Sequence, residues 1–274
     1  MLPFRARFAA RRIFNASYHR RLSQIIASPL KFYLVMALKL LPGLSKGPFD
    51  LRFKDGKTLR VREFWALFLF DEIFVQNCYE SPEVLNCAPF GTVIDVGANI
   101  GLFTLRSKQL WPNAQIVSIE PHPDNFSKLQ EHVEINGLRD IWPLQVGISE
   151  KCGQFDLYIS GRNIAGHSMY KKTDQAVSIS IPTCTLDNAM AMIPAGAGAI
   201  LLKIDCEGCE YPLLSNLTVE MANRISCIVF EPERSLYDLS ALIQRLVFLG
   251  FTISNHTNLV VASKSGRGTS SSGN

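Results

Sequence analysis

Apolar positions change their period several times along the chain, and each change marks an element. Residues 30–41 form an apolar stretch broken by Lys31 and Lys39, and Pro42, Gly43, Gly47 and Pro48 then close a leader. Within 50–61, apolar residues at 51, 53, 59 and 61 flank Asp55-Gly56, which predicts a β-hairpin, and helical spacing follows over 63–76. Beyond Gly91 the period alternates. The pattern predicts strands at 92–96, 115–119 and 141–148, with helices at 102–110 and 124–135, Asp124 serving as an N-cap. A hairpin at 154–159 and 177–181 is set on a longer loop. Segments 199–204 and 225–230 are almost continuously apolar, as strands buried on both faces of a parallel sheet are. A helix at 236–249 and a closing antiparallel pair at 251–254 and 259–262 complete the pattern. Such alternation predicts a doubly wound, mostly parallel α/β sheet with an antiparallel closing strand. The chain divides into a basic helical leader (1–48), a hairpin-and-helix lead-in (49–90), the α/β domain (91–264) and a Gly/Ser-rich tail (265–274) expected to be disordered.

Composition narrows this picture. With 47% hydrophobic and 19% charged residues among 274, the chain can bury a sizeable core, which excludes general disorder and a fibrous repeat. No run of 18 apolar residues is present, against a simple membrane span. The net charge of +4 conceals two surfaces: residues 1–62 hold fourteen Lys/Arg against Asp50 and Asp55, and the rest holds fourteen against 22 acids. The leader therefore reads either as a basic helix packed on its own domain or as an amphipathic helix on an anionic membrane surface. A targeting segment fits less well, because Lys39 breaks the apolar stretch. The seven cysteines (78, 87, 152, 184, 206, 209 and 227) lack framework spacing, and most read as small buried hydrophobes of a reducing, cytoplasmic compartment, with peripheral contact at the inner membrane face open.

Candidate chemistry lies in two segments. The first is Thr92-Val-Ile-Asp-Val-Gly-Ala-Asn-Ile-Gly-Leu-Phe, where a buried strand delivers Asp95 and turns through Gly97 into a helix opening near Gly101. Its Asp-x-Gly-x-x-x-Gly is not the Gly-x-Gly-x-x-Gly of dinucleotide binders, and a carboxylate at the loop entrance repels phosphate and welcomes an ammonium group. The second is Ser118-Ile-Glu-Pro-His-Pro, in which Glu120 ends the next strand, placed to grip both ribose hydroxyls. An adenosine-containing cation fits both acids, and S-adenosylmethionine is the common one.

These segments, Asp95-Val-Gly-Ala-Asn-Ile-Gly101 and Glu120-Pro-His-Pro123, together with Asn136-Gly-Leu138, Gly147-Ile-Ser149 and Lys203-Ile-Asp-Cys-Glu-Gly-Cys-Glu210, resemble the FkbM family of S-adenosylmethionine-dependent methyltransferases. The resemblance spans about residues 91–262, with 73–79 similar to the family's lead-in and the leader outside it. It implies a class I methyltransferase fold and methylation, usually of a hydroxyl on a sugar, glycolipid or polyketide. On it, Asp95, Gly97, Ala98, Asn99 and Gly101 line the methionine and ribose side, Glu120 with Pro121 holds the ribose, and Gly147 and Ile148 border the adenine. Cys206 and Cys209 depart from the family, which more often has a small apolar residue there. No further ligand pair is spaced to complete a zinc site with them, so packing is the expectation and no metal is predicted.

Lys203, Asp205, Glu207 and Glu210 cluster where the fourth strand ends, the edge at which such sheets build their sites. Methyl transfer is a direct displacement, and a hydroxyl acceptor reacts once a base draws off its proton. Asp205 is the first candidate base and also a cofactor contact, and Glu207 is the second, or orients the methionine ammonium. His167, in an inserted loop, is the third. Lys203 is expected to be an ion-pair partner and His122 to shape its loop. Glu231 either meets acceptor hydroxyls or joins Asp205 and Glu207 around a magnesium-like cation. The acceptor is expected to be a small molecule or a glycan- or lipid-linked group. The alternatives are methylation of nitrogen or of RNA, a nicotinamide-dependent oxidoreductase, and a nucleic-acid binder using the leader. The last is disfavoured because the body carries a net −8 and no basic stripe, so no nucleic-acid partner is expected.

Overall fold

The structure, a computed structural model, describes residues 4–40, 47–160, 166–170, 177–193 and 198–264. The tail at 265–274 and much of the inserted loop that carries His167 lie outside the described residues. The chain opens with α1 (Phe4–Ile13), α2 (Ala16–Ile25) and α3 (Pro29–Leu40), then a hairpin of β1 (Phe49–Arg52) and β2 (Thr58–Val61). Next come α4 (Phe64–Phe70), a π-helical turn at Asp71–Val75, and α5 (Pro82–Asn86). The α/β body continues with β3 (Thr92–Val96), α6 (Leu102–Leu110), β4 (Gln115–Ile119), α7 (Pro123–Ile135) and β5 (Ile141–Leu144). A side sheet of β6 (Gly147–Ile148), β7 (Gly153–Ile159) and β8 (Val177–Cys184) leads to α8 (Leu186–Ala191). The rest is β9 (Ile200–Ile204), α9 (Glu210–Ser215), α10 (Val219–Arg224), β10 (Ile225–Phe230), α11 (Leu239–Phe248), β11 (Thr252–His256) and β12 (Leu259–Ser263).

The main sheet has seven strands in the order β11-β12-β10-β9-β3-β4-β5. Its five members β10, β9, β3, β4 and β5 are parallel, and β12 joins antiparallel to β10. Winding reverses between β3 and β9, so a crevice opens beyond their carboxyl ends. Every residue of both strands is buried, because alternate side chains feed cores on opposite faces. Val93, Leu201 and Val229 face one core, whereas Ile94, Leu202 and Ile228 face the other.

The first of these cores also takes in the leader. Phe8, Leu22, Phe32, Val35 and Met36 are buried with Leu51, Leu59, Phe70 and Phe74 of the hairpin and the helices after it. Arg12 pairs with Asp71, which is 1% exposed, at 2.5 Å, and the buried Lys39 ammonium donates to the carbonyls of Gly47 and Arg62 at 2.8 Å each. The hairpin is fastened to the body by side chains of α7 and of its C-cap residue, Asn136. Thr58 N–H donates to Asn136 Oδ1 (2.6 Å), Asn136 Nδ2 returns a bond to Thr58 O (2.9 Å), and Arg60 N–H donates to His132 Nε2 (3.0 Å). His132 Nδ1 then donates to Ile100 O (2.7 Å), linking the hairpin to the glycine loop. Asn136 thereby acts as a surrogate strand partner, a role its sequence motif does not disclose.

Several boundaries differ from the sequence expectation. The strand expected at 141–148 divides into β5 in the main sheet and β6 in the side sheet, because a continuous apolar run does not show where the chain leaves one sheet for another. His122, not Asp124, is the N-cap of α7, with Pro123 filling a first-turn position that needs no N–H. The last helix starts at Leu239, where Asp238 accepts a bond from Ser240 N–H. The helix expected over 63–76 passes from α4 into the π-helical turn. Among the described residues no helix is long and apolar enough to cross a membrane.

Candidate active site

β3 delivers the chain to Gly97, where φ is +76° and an added Cβ would stand 1.8 Å from Asp205 O. Only glycine lets the ends of β3 and β9 pass so closely. At Gly101 (φ +83°) a Cβ would meet Leu129 Cδ1 at 2.5 Å, so α6 and α7 pack tightly there. Between them Asn99 N–H donates to Glu120 Oε2 (2.8 Å), while His122 N–H donates to Glu120 Oε1 (2.9 Å). Burial pushes the Glu120 carboxyl up to about 7, against the downward pull of those two N–H groups and the Lys203 charge. Both carboxylate oxygens are thus aimed by backbone at the end of β4, with lone pairs remaining for a diol.

Asp95 sits elsewhere than its motif suggested. It is fully buried beneath the loop, 3.0 Å from Lys203 Nζ, and accepts a bond from Thr104 Oγ1 (3.0 Å). Lys203 donates as well to Gly97 O (2.8 Å). Burial works against the Lys203 ammonium, but Asp95, Asp205 and Glu120 outweigh it and hold its pKa above the ordinary value. Asp95, Ala98 and Gly101 accordingly brace the loop from behind and do not line the cleft, and Lys203 is the ion-pair partner expected of it.

The cleft opens where β3, β4 and β9 end. Gly97, Asn99, Glu120 and Pro121 form its polar wall. Val146, Ile148, Leu157 and Met169 form an apolar slot, and a Cβ on Gly147 would collide there with Met169 Sδ at 2.9 Å. Asp205 and Glu207 close the far end. An apolar slot for a base, a carboxylate for a diol and two carboxylates for a cation are groups that S-adenosylmethionine can use.

Asp205 Oδ2 accepts a 2.7 Å hydrogen bond from the hydroxyl of Tyr79, a residue 7% exposed whose ring meets Phe103 edge-on and lies 5.5 Å from the Lys203 ammonium. Glu72, on the π-helical turn, is pushed up to about 8 by burial and by the charges of Asp205 and Glu231. Glu231 lies at an exposed position, yet its carboxyl is raised to about 7 by desolvation and then by Asp205, Glu207 and Glu233. Sequence reasoning named Asp205, Glu207 and Glu231 and missed Glu72 and Tyr79. The similarity of 73–79 to a lead-in segment was the signal for Tyr79, and Glu72 had none, since neither lies in the strand-end motifs.

Cys206 and Cys209, expected to pack as small hydrophobes, instead close a disulfide with Cα atoms 5.6 Å apart, and both border the cleft. Glu207 (φ +57°) and Gly208 (φ +125°) fold the intervening loop so that the two sulfur atoms meet. The buried Glu210 accepts bonds from Gly208 N–H (3.1 Å) and Cys206 N–H (3.4 Å), which assigns it to the loop. His167 also lines the cleft, stacked on His122 with ring centroids 4.2 Å apart. Its Nδ1 accepts from Ser160 N–H (3.1 Å) and burial lowers its pKa to about 4. The proton is then on Nε2, so His167 faces the cleft as a neutral donor, an arrangement unsuited to a base. Among the described residues no three His, Cys, Asp or Glu are grouped to hold a metal ion.

The strand order and the acid ending β4 are those of a class I methyltransferase. Residues 95–253 match the Methyltransferase FkbM domain, and the chain belongs to that family of S-adenosylmethionine-dependent methyltransferases. Methyltransferase 1 of Beauveria bassiana (strain ARSEF 2860) is 27% identical over 207 residues, which are 68% of this chain and 81% of that protein. The 31-O-demethyl-FK506 methyltransferase FkbM of Streptomyces tacrolimicus is 38% identical over 81 residues, 29% of this chain and 31% of that protein. Among solved structures, Aeropyrum pernix fibrillarin in complex with S-adenosyl-L-methionine superposes with a TM-score of 0.42 at 12% identity, covering 82% of this chain and 86% of that one.

Proposed function

We propose that the chain methylates a hydroxyl oxygen on a sugar, glycolipid or other hydroxylated small molecule, with Asp205 as general base. The observation that carries this reading is the Tyr79–Asp205 hydrogen bond at the end of β9, beside the cleft. It fixes one carboxylate oxygen and leaves the other to accept an O–H. When bound, S-adenosylmethionine supplies a methyl carbon activated by its sulfonium. Glu120 takes the ribose hydroxyls, Gly147 and Ile148 border the adenine, and Asn99, Asp205 and Glu207 face the amino acid end. Asp205 accepts the hydrogen of the acceptor hydroxyl and would take the proton as the C–O bond forms and the methyl carbon–sulfur bond breaks, the neutral thioether being the leaving group. Glu231 and Glu72, each with a pKa raised to about 7 or 8, can donate to and accept from neighbouring hydroxyls near neutral pH. The chemistry printed in the name of the Streptomyces relative is methylation at oxygen, which supports the reading.

The test titrates wild type, Glu120→Ala and Asp205→Asn with S-adenosylmethionine by calorimetry. Transfer of a labelled methyl group to hydroxyl and amine acceptors is then measured. Binding lost in Glu120→Ala, and transfer to hydroxyls lowered at least about a hundredfold in Asp205→Asn while it still binds, is the expected result. Transfer to amines alone, or an undiminished rate in Asp205→Asn, overturns it.

A further inference from the structure

We infer that the outer face of α1–α3 docks on an anionic lipid bilayer. The inner face of these helices is spent on the core, through Phe8, Leu22, Phe32, Val35 and Met36. A second apolar set is left outside: Phe14 is 89% exposed, Leu30 84%, Leu34 59% and Ile13 44%. Leu30, Leu34 and the exposed Ala37 recur at helical spacing and share one stripe of α3, away from the buried stripe of Phe32, Val35 and Met36. The α1–α2 corner that bears Phe14 is tied to α3 by a polar chain. His19 Nε2 lies 2.8 Å from Ile13 O and Nδ1 lies 2.5 Å from the Tyr33 hydroxyl, with Tyr33 next in sequence to Leu34. α3 is therefore apolar on two sides and covered on one, the state of a helix that belongs against protein on one flank and lipid on the other.

Charge names the lipid. Residues 4–40 contain eight Lys/Arg and no acid. Arg12 is taken up by Asp71, Lys39 by two carbonyls, and Arg5 lies over the Phe64 ring. Arg7, Arg11, Arg20, Arg21 and Lys31 are exposed and form no ion pair with another described residue. Arg11 and Arg21 also border a cleft with Asn15 and Ser17, on whose floor Asp71 is already paired with Arg12. A bilayer interface accepts cations and exposed aromatic and aliphatic side chains together. Nucleic acid would match only the cations, and a second copy would set like charges against each other. The acidic body, fourteen Lys/Arg against 22 Asp/Glu from residue 63 onward, orients the molecule leader-first towards such a surface. Because α2 packs on the π-helical turn that carries Glu72, the docked face adjoins the acceptor end, a consequence that rests on the proposed function whereas the docking does not.

The full chain is sedimented with vesicles of phosphatidylcholine alone and of phosphatidylcholine mixed with phosphatidylserine. It should pellet with the mixed vesicles only. Arg20→Glu/Arg21→Glu should weaken that binding at least about tenfold, and Phe14→Ser/Leu30→Ser should weaken it comparably. Circular dichroism shows that the variants fold, and S-adenosylmethionine titration reports separately on the methyltransferase reading. The proposal is overturned if the chain stays in solution with both vesicles, or if the Phe14→Ser/Leu30→Ser variant binds undiminished. It is equally overturned if polyuridylate strips the chain from vesicles and binds it more tightly, or if sedimentation equilibrium shows a dimer that the apolar substitutions dissolve.

Discussion

At Glu120 burial and hydrogen bonding pull in opposite directions, and burial prevails in the free protein, where the carboxyl titrates near 7. The ionised form accepts from two ribose hydroxyls, whereas the protonated form has one oxygen committed as a donor. Affinity for S-adenosylmethionine should therefore fall as pH drops through about 7 and level off above it. Glu120→Gln should bind roughly 10- to 100-fold more weakly, the worth of a hydrogen bond to a charged group, and show no such pH step. Calorimetry at pH 6 and pH 8 checks both. Gly97 is a packing constraint of another kind. Gly97→Ala must push a Cβ into Asp205 O, so it should cost at least about 3 kcal/mol in urea unfolding or abolish binding by parting β3 from β9. The positions of Gly97 and Glu120 at the cleft were legible because their residue types and spacing are imposed by the turn and by the strand end. Asp95 was legible as a requirement and not as a position, since nothing local shows that Lys203, far along the chain, would neutralise it.

Elements meet at this site through single side chains. Lys203 on β9 sits between Asp95 on β3 and the carbonyl of Gly97, so it sets the loop height against the neighbouring strand. Lys203→Met should strand the Asp95 charge and destabilise the fold by about 3–5 kcal/mol, while Lys203→Met combined with Asp95→Leu should recover most of that loss. Urea unfolding of the two singles and the double closes the cycle. Tyr79 joins the lead-in to β9 in a similar way. Its hydroxyl holds one oxygen of Asp205 in place, so Tyr79→Phe should lower kcat about tenfold while S-adenosylmethionine still binds with unchanged affinity. An undiminished kcat would show that Tyr79 only packs. The strands and helices around these residues were readable from hydrophobic period. The partnership of Tyr79 with Asp205, 126 positions apart, was not.

For the molecule as a whole, the leader and body form one core on one face of the sheet, so the methyltransferase fold and its lead-in are expected to unfold together. Arg12→Ala deprives Asp71, 1% exposed, of its guanidinium partner, although Gln76 Nε2 still donates to it at 2.5 Å. The loss should be about 2–3 kcal/mol, seen as a lower urea midpoint for the entire chain in one transition and not as fraying of α1 alone. Two separate transitions would mean that the leader is an independent unit. Sequence by itself determined the alternation of strands and helices, the glycine turn, the acid at the end of β4 and the family, because each follows from local period, backbone freedom or a short motif. It also determined that a basic leader precedes an acidic body. Only the tertiary structure decided which face of the leader is buried, that Asp95 is a brace, that β6 leaves the main sheet, and that Tyr79 and Glu72 stand beside Asp205. The reason is physical: those outcomes depend on contacts between residues distant in the chain, and side-chain pairing across such distances leaves no periodic trace in either segment.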